Sequence, residues 1–252
     1  MLQVEQIHKA FGDRVAVEEL SLRIENELFV FLGPNGAGKT TTIKMMTGLL
    51  HPDQGRVLID GIDLAADPIG AKRFFGLVQE SPVLYEKLSA REFVHFMARL
   101  YQVPAEDAVR RAGRLFEMFE INDRADELIE EFSHGMKQKV ALAGALVHEP
   151  RVLFLDEPTV GLDPKAARNL KDLLRGMVER GTTVFMSTHI LEVAERMCDR
   201  AGIIHQGRLI ALGTMDELRK NSATEKASLE EIFLQLTASE VGTDVNRFLE
   251  EQ

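Results

Sequence analysis

Short hydrophobic runs alternate along this chain with segments whose apolar residues recur at helical spacing. Near the amino terminus, apolar and polar residues alternate in LQVEQIHKAF and again in VAVEELSLRI, which is typical of half-buried antiparallel strands. Later strand candidates are short and largely apolar: LFVFL, RVLID, FFGLV, VLFLD, TVFMS and AGIIH. Because helical stretches separate several of these runs, they predict a mainly parallel sheet with crossover helices.

Residues 82–148 lack a convincing strand pattern. Ser89 and Glu92 fit a capping box that opens a helix, and further helical patterns cover residues 108–119 and 136–147. The sequence therefore predicts a helical subdomain inserted into an α/β core. The helix that follows Ser89 is expected to carry its apolar residues on one face, namely Phe93, Phe96, Met97 and Leu100.

The carboxyl-terminal part of the chain carries two more helix-start signals. Thr214–Glu217 and Ser228–Glu231 both have the capping-box pattern, and each predicts a short closing helix. We assign residues 1–236 to one domain, and we expect residues 237–252 to be a polar tail.

Composition places the chain among globular proteins, since 45% of its 252 residues are hydrophobic and 28% are charged. It has neither the roughly 18 uninterrupted apolar residues of a membrane span nor the apolar core of a signal peptide, so we expect a cytoplasmic protein.

A single cysteine, Cys198, excludes an intrachain disulfide and a cysteine-built metal site. The net charge of −10 disfavours nucleic acid as a partner, and the basic run at 109–114 is interpreted as a solvated helix face.

One stretch carries specific chemistry: Gly33–Thr40 matches G-x-x-x-x-G-K-[ST] between the apolar strand LFVFL and a helical segment. Glycines let backbone N–H groups approach phosphate oxygens, the helix N-terminus adds a positive dipole, and Lys39 adds a full charge. The motif predicts a site for a nucleoside triphosphate with Mg²⁺ at the Thr40 hydroxyl. The nucleotide-binding candidates are Gly33, Pro34, Asn35, Gly36, Ala37, Gly38, Lys39, Thr40 and Thr41.

Two adjacent carboxylates, Asp156 and Glu157, end the apolar strand VLFLD. In a phosphoryl-transfer site the first carboxylate would serve the Mg²⁺ shell and the second would polarise the attacking water. Such a reaction depends on positioning and charge stabilisation, and it requires no covalent nucleophile.

The segment Phe132–Lys139 resembles the signature loop of ATP-binding cassette (ABC) ATPases. Ser133, Gly135 and Gln138 match the common form, whereas His134 and Met136 replace its glycine and glutamine. The same chain has Gln79 after a strand, GLDP at 161–164 and STH at 187–189, in the order and spacing of that family. The resemblance spans roughly residues 2–236 and implies a P-loop NTPase fold with an amino-terminal antiparallel β subdomain.

The resemblance also assigns roles. It implies that Glu157 is the general base, that His189 contacts the γ-phosphate, and that Thr40, Gln79 and Asp156 serve Mg²⁺. Phe11 stands where the family presents an aromatic ring to adenine, and the alternative is a core position in the antiparallel sheet.

Partners follow from the same resemblance. Ser133 and Gly135 would reach ATP held by a second ATPase subunit, so one chain cannot complete a site. The segment after Gln79, through Leu84 and Tyr85, lies where transporter members receive a helix of a separate permease. The sequences of several segments are similar to those of ATPase subunits of bacterial exporters of drugs, peptides or polysaccharides. This resemblance implies a position on the inner face of the cell membrane. The alternative is a soluble ABC-type switch that acts on non-membrane partners.

Overall fold

A computed structural model describes residues 1–220 and 228–237. Its strands are β1 Leu2–Phe11, β2 Arg14–Ile24, β3 Leu28–Leu32, β4 Gln54–Ile59, β5 Ile62–Asp63, β6 Phe75–Val78, β7 Val152–Asp156, β8 Thr183–Thr188, β9 Arg200–His205 and β10 Arg208–Thr214. Its helices are α1 Lys39–Met46, α2 Pro68–Lys72, α3 Ala90–Leu100, α4 Ala105–Met118, α5 His134–Leu146, α6 Pro164–Glu179, α7 Leu191–Met197, α8 Met215–Lys220 and α9 Leu229–Thr237. Apart from Thr237, the expected polar tail lies outside the described residues.

The strands form two sheets. An antiparallel sheet has the order β2-β1-β4-β5, and a six-stranded sheet has the order β10-β9-β3-β8-β7-β6. All neighbours in the larger sheet are parallel except β9 and β10. The predicted α/β class, with an antiparallel β subdomain beside a mainly parallel core, is confirmed.

Strand β3 shows why the central strands are apolar throughout. Phe29 and Phe31 belong to the core that includes the antiparallel sheet, whereas Leu28, Val30 and Leu32 belong to the core shared with the helical subdomain. Successive side chains of a strand point to opposite faces, and both faces of β3 are fully buried. The continuous run LFVFL is the consequence.

Two strand assignments differ from the sequence prediction. RVLID was expected in the mainly parallel sheet, but β4 lies in the antiparallel sheet, paired with β1 and β5. Strand β10 was not predicted, because it is a partly exposed edge strand whose RLIALGT sequence lacks a continuous apolar run.

The helical subdomain has α3, α4 and α5, and between residues 82 and 150 the described chain forms no extended strand. The capping box of α3 is present in full: Glu92 N–H donates to Ser89 Oγ, and Ser89 N–H donates to the Glu92 carboxylate. The predicted apolar face is only partly covered. Phe93 is buried, but Phe96 is 40% exposed and Leu100 is 64% exposed.

The closing helices also begin as predicted. Thr214 and Glu217 exchange side-chain to backbone hydrogen bonds at the start of α8. Ser228 and Glu231 do the same at the start of α9.

Candidate nucleotide site

The loop Gly33–Thr40 leads directly from β3 into α1. Gly36 and Gly38 have φ values of +79° and +112°, which favour glycine. A Cβ atom at Gly38 would lie 2.5 Å from the carbonyl oxygen of Ala16, and one at Gly33 would lie 2.5 Å from the carbonyl oxygen of Ile204. Neighbouring backbone therefore leaves no room for side chains at these two glycines.

Lys39 is the first residue of α1, and its side chain is only 7% exposed. Its ammonium group donates to the carbonyl oxygens of Gly33, at 2.6 Å, and Pro34, at 3.3 Å. It also lies 3.5 Å from Oε1 of Glu157. Carbonyl oxygens of the loop thus accept hydrogen bonds from its own lysine, and the ammonium group expected to bind phosphate faces the carboxylate that follows β7.

Glu157 is 4% exposed and has a φ of +50°, which is uncommon for a residue with a side chain. Its backbone N–H donates to Ser187 Oγ at 3.2 Å, which fixes it against β8. Its Oε1 lies 3.0 Å from Nδ1 of His189, and its Oε2 accepts the His189 backbone N–H at 3.3 Å. The carboxylate is therefore held from two sides, by Lys39 and by His189.

Asp156 is the last residue of β7 and is 3% exposed. Ser187 lies opposite it in the parallel register of β7 and β8, and its hydroxyl donates to Asp156 Oδ1 at 2.5 Å. The sequence pattern places Ser187 beside His189 but gives no sign of this contact, which depends on strand order. The hydrogen bond orients the carboxylate.

These groups surround a cavity of about 390 Å³. Phe11 lines this cavity and is 53% exposed, so the alternative of a core position is wrong.

Four of the predicted site residues do not line the cavity directly: Gly33, Ala37, Gln79 and Asp156. Gln79 is half-buried. Three lining residues were missed by the sequence reasoning, Arg14, Ala16 and Glu80, because no motif marks them. The lining residues are Phe11, Arg14, Ala16, Pro34, Asn35, Gly36, Gly38, Lys39, Thr40, Thr41, Glu80, Glu157 and His189.

Two predicted residues, Ser133 and Gly135, lie outside this cavity. Ser133 is the N-cap of α5, where its hydroxyl accepts the Met136 N–H at 3.4 Å. A Cβ at Gly135 would collide with the carbonyl oxygen of Gly161. The segment 132–139 therefore contacts the segment 161–164 of the same chain.

A second contact joins these segments through charges. Lys139 Nζ lies 3.0 Å from the Asp163 carboxylate, and Asp163 caps α6 by accepting the Ala166 N–H at 2.8 Å. The Ala166 N–H and the Lys139 ammonium together hold the pKa of Asp163 below its usual range. The start of α5 is thus tied to the start of α6.

Residues 1–220 and 228–237 contain no cluster of three or more His, Cys, Asp or Glu suited to hold a metal ion. The Mg²⁺ ligands expected from sequence are instead a hydroxyl, an amide and one carboxylate. No helix in the same part of the chain is long and apolar enough to cross a membrane.

Comparisons with known proteins agree on one family. A family model described as "ABC transporter" matches residues 17–160. The chain is 39% identical to the linearmycin resistance ATP-binding protein LnrL of Bacillus subtilis (strain 168) over 219 residues, which are 86% of this chain and 70% of LnrL.

Solved structures give the same result. A structure of the ATP-binding subunit of an ABC transporter has a TM-score of 0.91 at 36% identity, over 94% of this chain and 99% of that one. The dimeric ATP-binding cassette MJ0796, in a post-hydrolysis state bound to ADP and Pi, has a TM-score of 0.78 at 27% identity, over 85% of this chain and 99% of that one.

Proposed function

This chain belongs to the family of ATP-binding subunits of ABC transporters, and on that premise we propose that it hydrolyses ATP as a dimer to drive a separate membrane permease, in the direction of export. The observation that supports the chemistry best is the convergence of Lys39, Glu157 and His189 at one cavity edged by the phosphate loop. Each of these residues has a distinct role in the proposal.

Lys39 binds the phosphates. Its ammonium group is charge-balanced by Glu157 and by loop carbonyls in the structure described here. The phosphate oxygens of ATP offer more negative charge than one carboxylate, so ATP would draw the lysine away from Glu157.

Glu157 accepts a proton from the attacking water. Removal of Lys39 from its side leaves the buried carboxylate with fewer stabilising partners, which makes it a better base. His189 contacts Glu157 through both its ring and its backbone N–H, and it aligns the water and the terminal phosphate.

Mg²⁺ fits the oxygen donors that this chain offers, because hydroxyl, amide and carboxylate oxygens are the ligands that a hard cation prefers. Thr40, Gln79 and Asp156 would hold it, directly or through water. When bound, the ion neutralises phosphate charge. Ser187 keeps the Asp156 carboxylate oriented for that role.

A dimer is proposed because Ser133 and Gly135, which the family resemblance assigns to ATP binding, do not line the cavity of their own chain. We propose that they contact the terminal phosphate of ATP bound to a second subunit, either an identical chain or a related one. The dimeric state of the MJ0796 cassette supports this arrangement. Hydrolysis then removes the contacts that hold the dimer closed.

The permease would bind an exposed apolar patch, which we define as Val83, Tyr85, Phe96 and Leu100. Val83 is 88% exposed and Tyr85 is 61% exposed. The Tyr85 ring packs edge-on against Phe96, with centroids 5.4 Å apart. Aromatic residues that become desolvated in an interface often contribute 2 kcal/mol or more to binding, on the order of the hot-spot values measured by alanine scanning. Docking here would place the chain on the inner face of the cell membrane.

Co-purification tests this proposal. The chain is isolated with a tag from detergent-solubilised membranes of its source cells, and co-purified multi-span proteins are identified. Val83→Asp/Tyr85→Asp should lose the attached permease and keep ATP binding. Leu84 is not chosen, because it packs against the core.

Ile69→Asp/Val109→Asp is the matched control, since both residues are exposed apolar residues outside the patch. It should retain the permease. A wild-type chain that never co-purifies with a multi-span protein would favour a soluble ABC-type switch, and equal retention by both variants would place the docking surface elsewhere.

A further inference from the structure

A second cavity, of about 480 Å³, lies beside the amino-terminal ends of strands β7 and β8. Its wall includes Pro150 and Arg151, just before β7, and Gly181 and Thr182, just before β8. The nucleotide site is formed by residues that follow these strands. The two cavities are therefore at opposite ends of β7 and β8 and share no lining residue.

The wall of this second cavity is rich in arginine. Arg111 is paired with Glu149 at 2.6 Å, and Arg151 is paired with Asp60. Arg114 and Arg180 also line the cavity, and neither side chain has an ion pair or hydrogen bond with any described residue. The cavity thus has two guanidinium groups in excess on a chain whose net charge is −10.

The interpretation of residues 109–114 as a plain solvated helix face is wrong for Arg111. This side chain is 21% exposed and donates to the carbonyl oxygen of Val147 at 3.2 Å. Its Nε atom is buried and has no hydrogen-bond partner. A buried donor of a charged group without a partner is costly, so Arg111 belongs to the wall of the cavity and not to a solvated face.

Between the arginines the wall is apolar. Leu146 is buried, and Leu115, Leu173 and Met177 are half-buried. A volume of this size is ordinary for a small-molecule site, for which roughly 300–1,000 Å³ is typical. An inorganic anion would leave this apolar surface uncovered, whereas a neutral apolar molecule would leave the two guanidinium groups without a counter-charge.

We infer that this cavity binds an amphipathic organic anion, with an aromatic or aliphatic body over Leu115, Leu173 and Met177 and a sulfonate, carboxylate or phosphate group toward Arg114 and Arg180. Guanidinium groups bind such oxyanions through paired N–H donors. The site is separate from nucleotide chemistry and does not depend on the proposed function.

Naphthalene sulfonate is a suitable probe, since it joins an aromatic body to one fixed negative charge. Binding is measured by titration calorimetry on the full chain saturated with ADP, which fills the nucleotide site. We expect saturable binding that weakens about tenfold or more in Arg114→Gln/Arg180→Gln, because hydrogen bonds to charged groups are removed. Arg180→Gln alone should give an intermediate loss.

Arg73→Gln/Arg168→Gln is the matched control, since both arginines are exposed, have no ion pair among the described residues and lie outside the cavity. It should bind the probe as the wild type does, and naphthalene methanol, which lacks the charge, should bind the wild type more weakly. Absence of saturable binding to the ADP-saturated chain, or equal affinity in Arg114→Gln/Arg180→Gln, would overturn the inference.

Discussion

The side chains of Lys39 and Glu157 form a buried ion pair, with the ammonium nitrogen 3.5 Å from Oε1. One residue belongs to the phosphate loop after β3 and the other follows β7. The pair links the proposed phosphate-binding group to the proposed base, so a change in either residue alters the environment of the other. Removing one partner of a buried pair leaves an uncompensated charge.

Lys39→Ala should weaken ATP binding by more than about tenfold, because it removes a charge-assisted contact to phosphate. Titration calorimetry with Mg-ATP measures the loss. Lys44→Ala is the matched control, since Lys44 is an exposed lysine of the same helix. Unchanged affinity in Lys39→Ala would remove the nucleotide-site assignment.

Glu157→Gln should keep ATP binding and lose the proton acceptor. Phosphate release should fall at least about 100-fold, as is typical when a general base is removed, and ATP should then hold a stable dimer on size-exclusion chromatography. Glu80→Gln is the control, because Glu80 lines the same cavity but is exposed and unpaired among the described residues. Normal turnover in Glu157→Gln would contradict the base, and a monomer in ATP would contradict the dimer switch.

Gly161→Ala should impair hydrolysis without reducing ATP binding by the monomer. A Cβ at Gly161 would lie 2.5 Å from Cδ2 of His134, so the ring must shift and move the segment that holds Ser133. Gly61→Ala provides the control, since its φ of +82° matches the +80° of Gly161 but nothing lies within 4 Å of the added atom.

The φ angle is thus nearly equal at the two positions, and only Gly161→Ala adds a close contact. A shared loss of phosphate release would assign the effect to strain, and full activity in Gly161→Ala would show that the position of His134 is unimportant. Adding His134→Gly to Gly161→Ala should recover part of the lost activity.

The free energy of unfolding should fall as pH drops from about 6.5 to about 4 because of His148. Its ring is stacked on Tyr101 with centroids 3.6 Å apart, and burial lowers its pKa from 6.5 to about 4. Within this window the unfolded chain binds a proton that the folded chain does not, which costs at most about 1.4 kcal/mol per pH unit.

Urea unfolding near the two ends of that window tests this expectation. His148→Phe keeps an aromatic ring over Tyr101 and should lose less stability on acidification than the wild type, whatever its stability at neutral pH. His51→Gln, at an exposed histidine, should follow the wild type. Identical pH slopes for wild type and His148→Phe would contradict the assignment.

Much of the core could be predicted because its strands are buried on both faces. Every residue of β3, β7 and β8 is buried, and these strands contain the apolar runs LFVFL, VLFL and VFM. The loop after β3 has a sequence that few other structures require. Strand β10 could not be predicted, because a half-exposed edge strand needs no such run.

Contacts between segments that are distant in the sequence could not be predicted either. The hydrogen bond from Ser187 to Asp156 follows from the register of β7 on β8, which the sequence does not specify. Helical periodicity placed Phe96 and Leu100 on one stripe with Phe93, but it does not say how much of that stripe the domain covers. Arg14 and Glu80 enter the cavity only through the fold.

Complementation between two inactive chains tests the central claim, that each ATP is shared by two subunits. Ser133→Arg would block the proposed contact in trans, and Lys39→Ala removes the ammonium group proposed to bind phosphate in cis. Differently tagged chains are mixed, heterodimers are isolated, and phosphate release is measured. One intact composite site should form in each heterodimer, so the mixture should exceed the summed activity of the separate variants. Verified heterodimers that never exceed this sum would contradict the shared site.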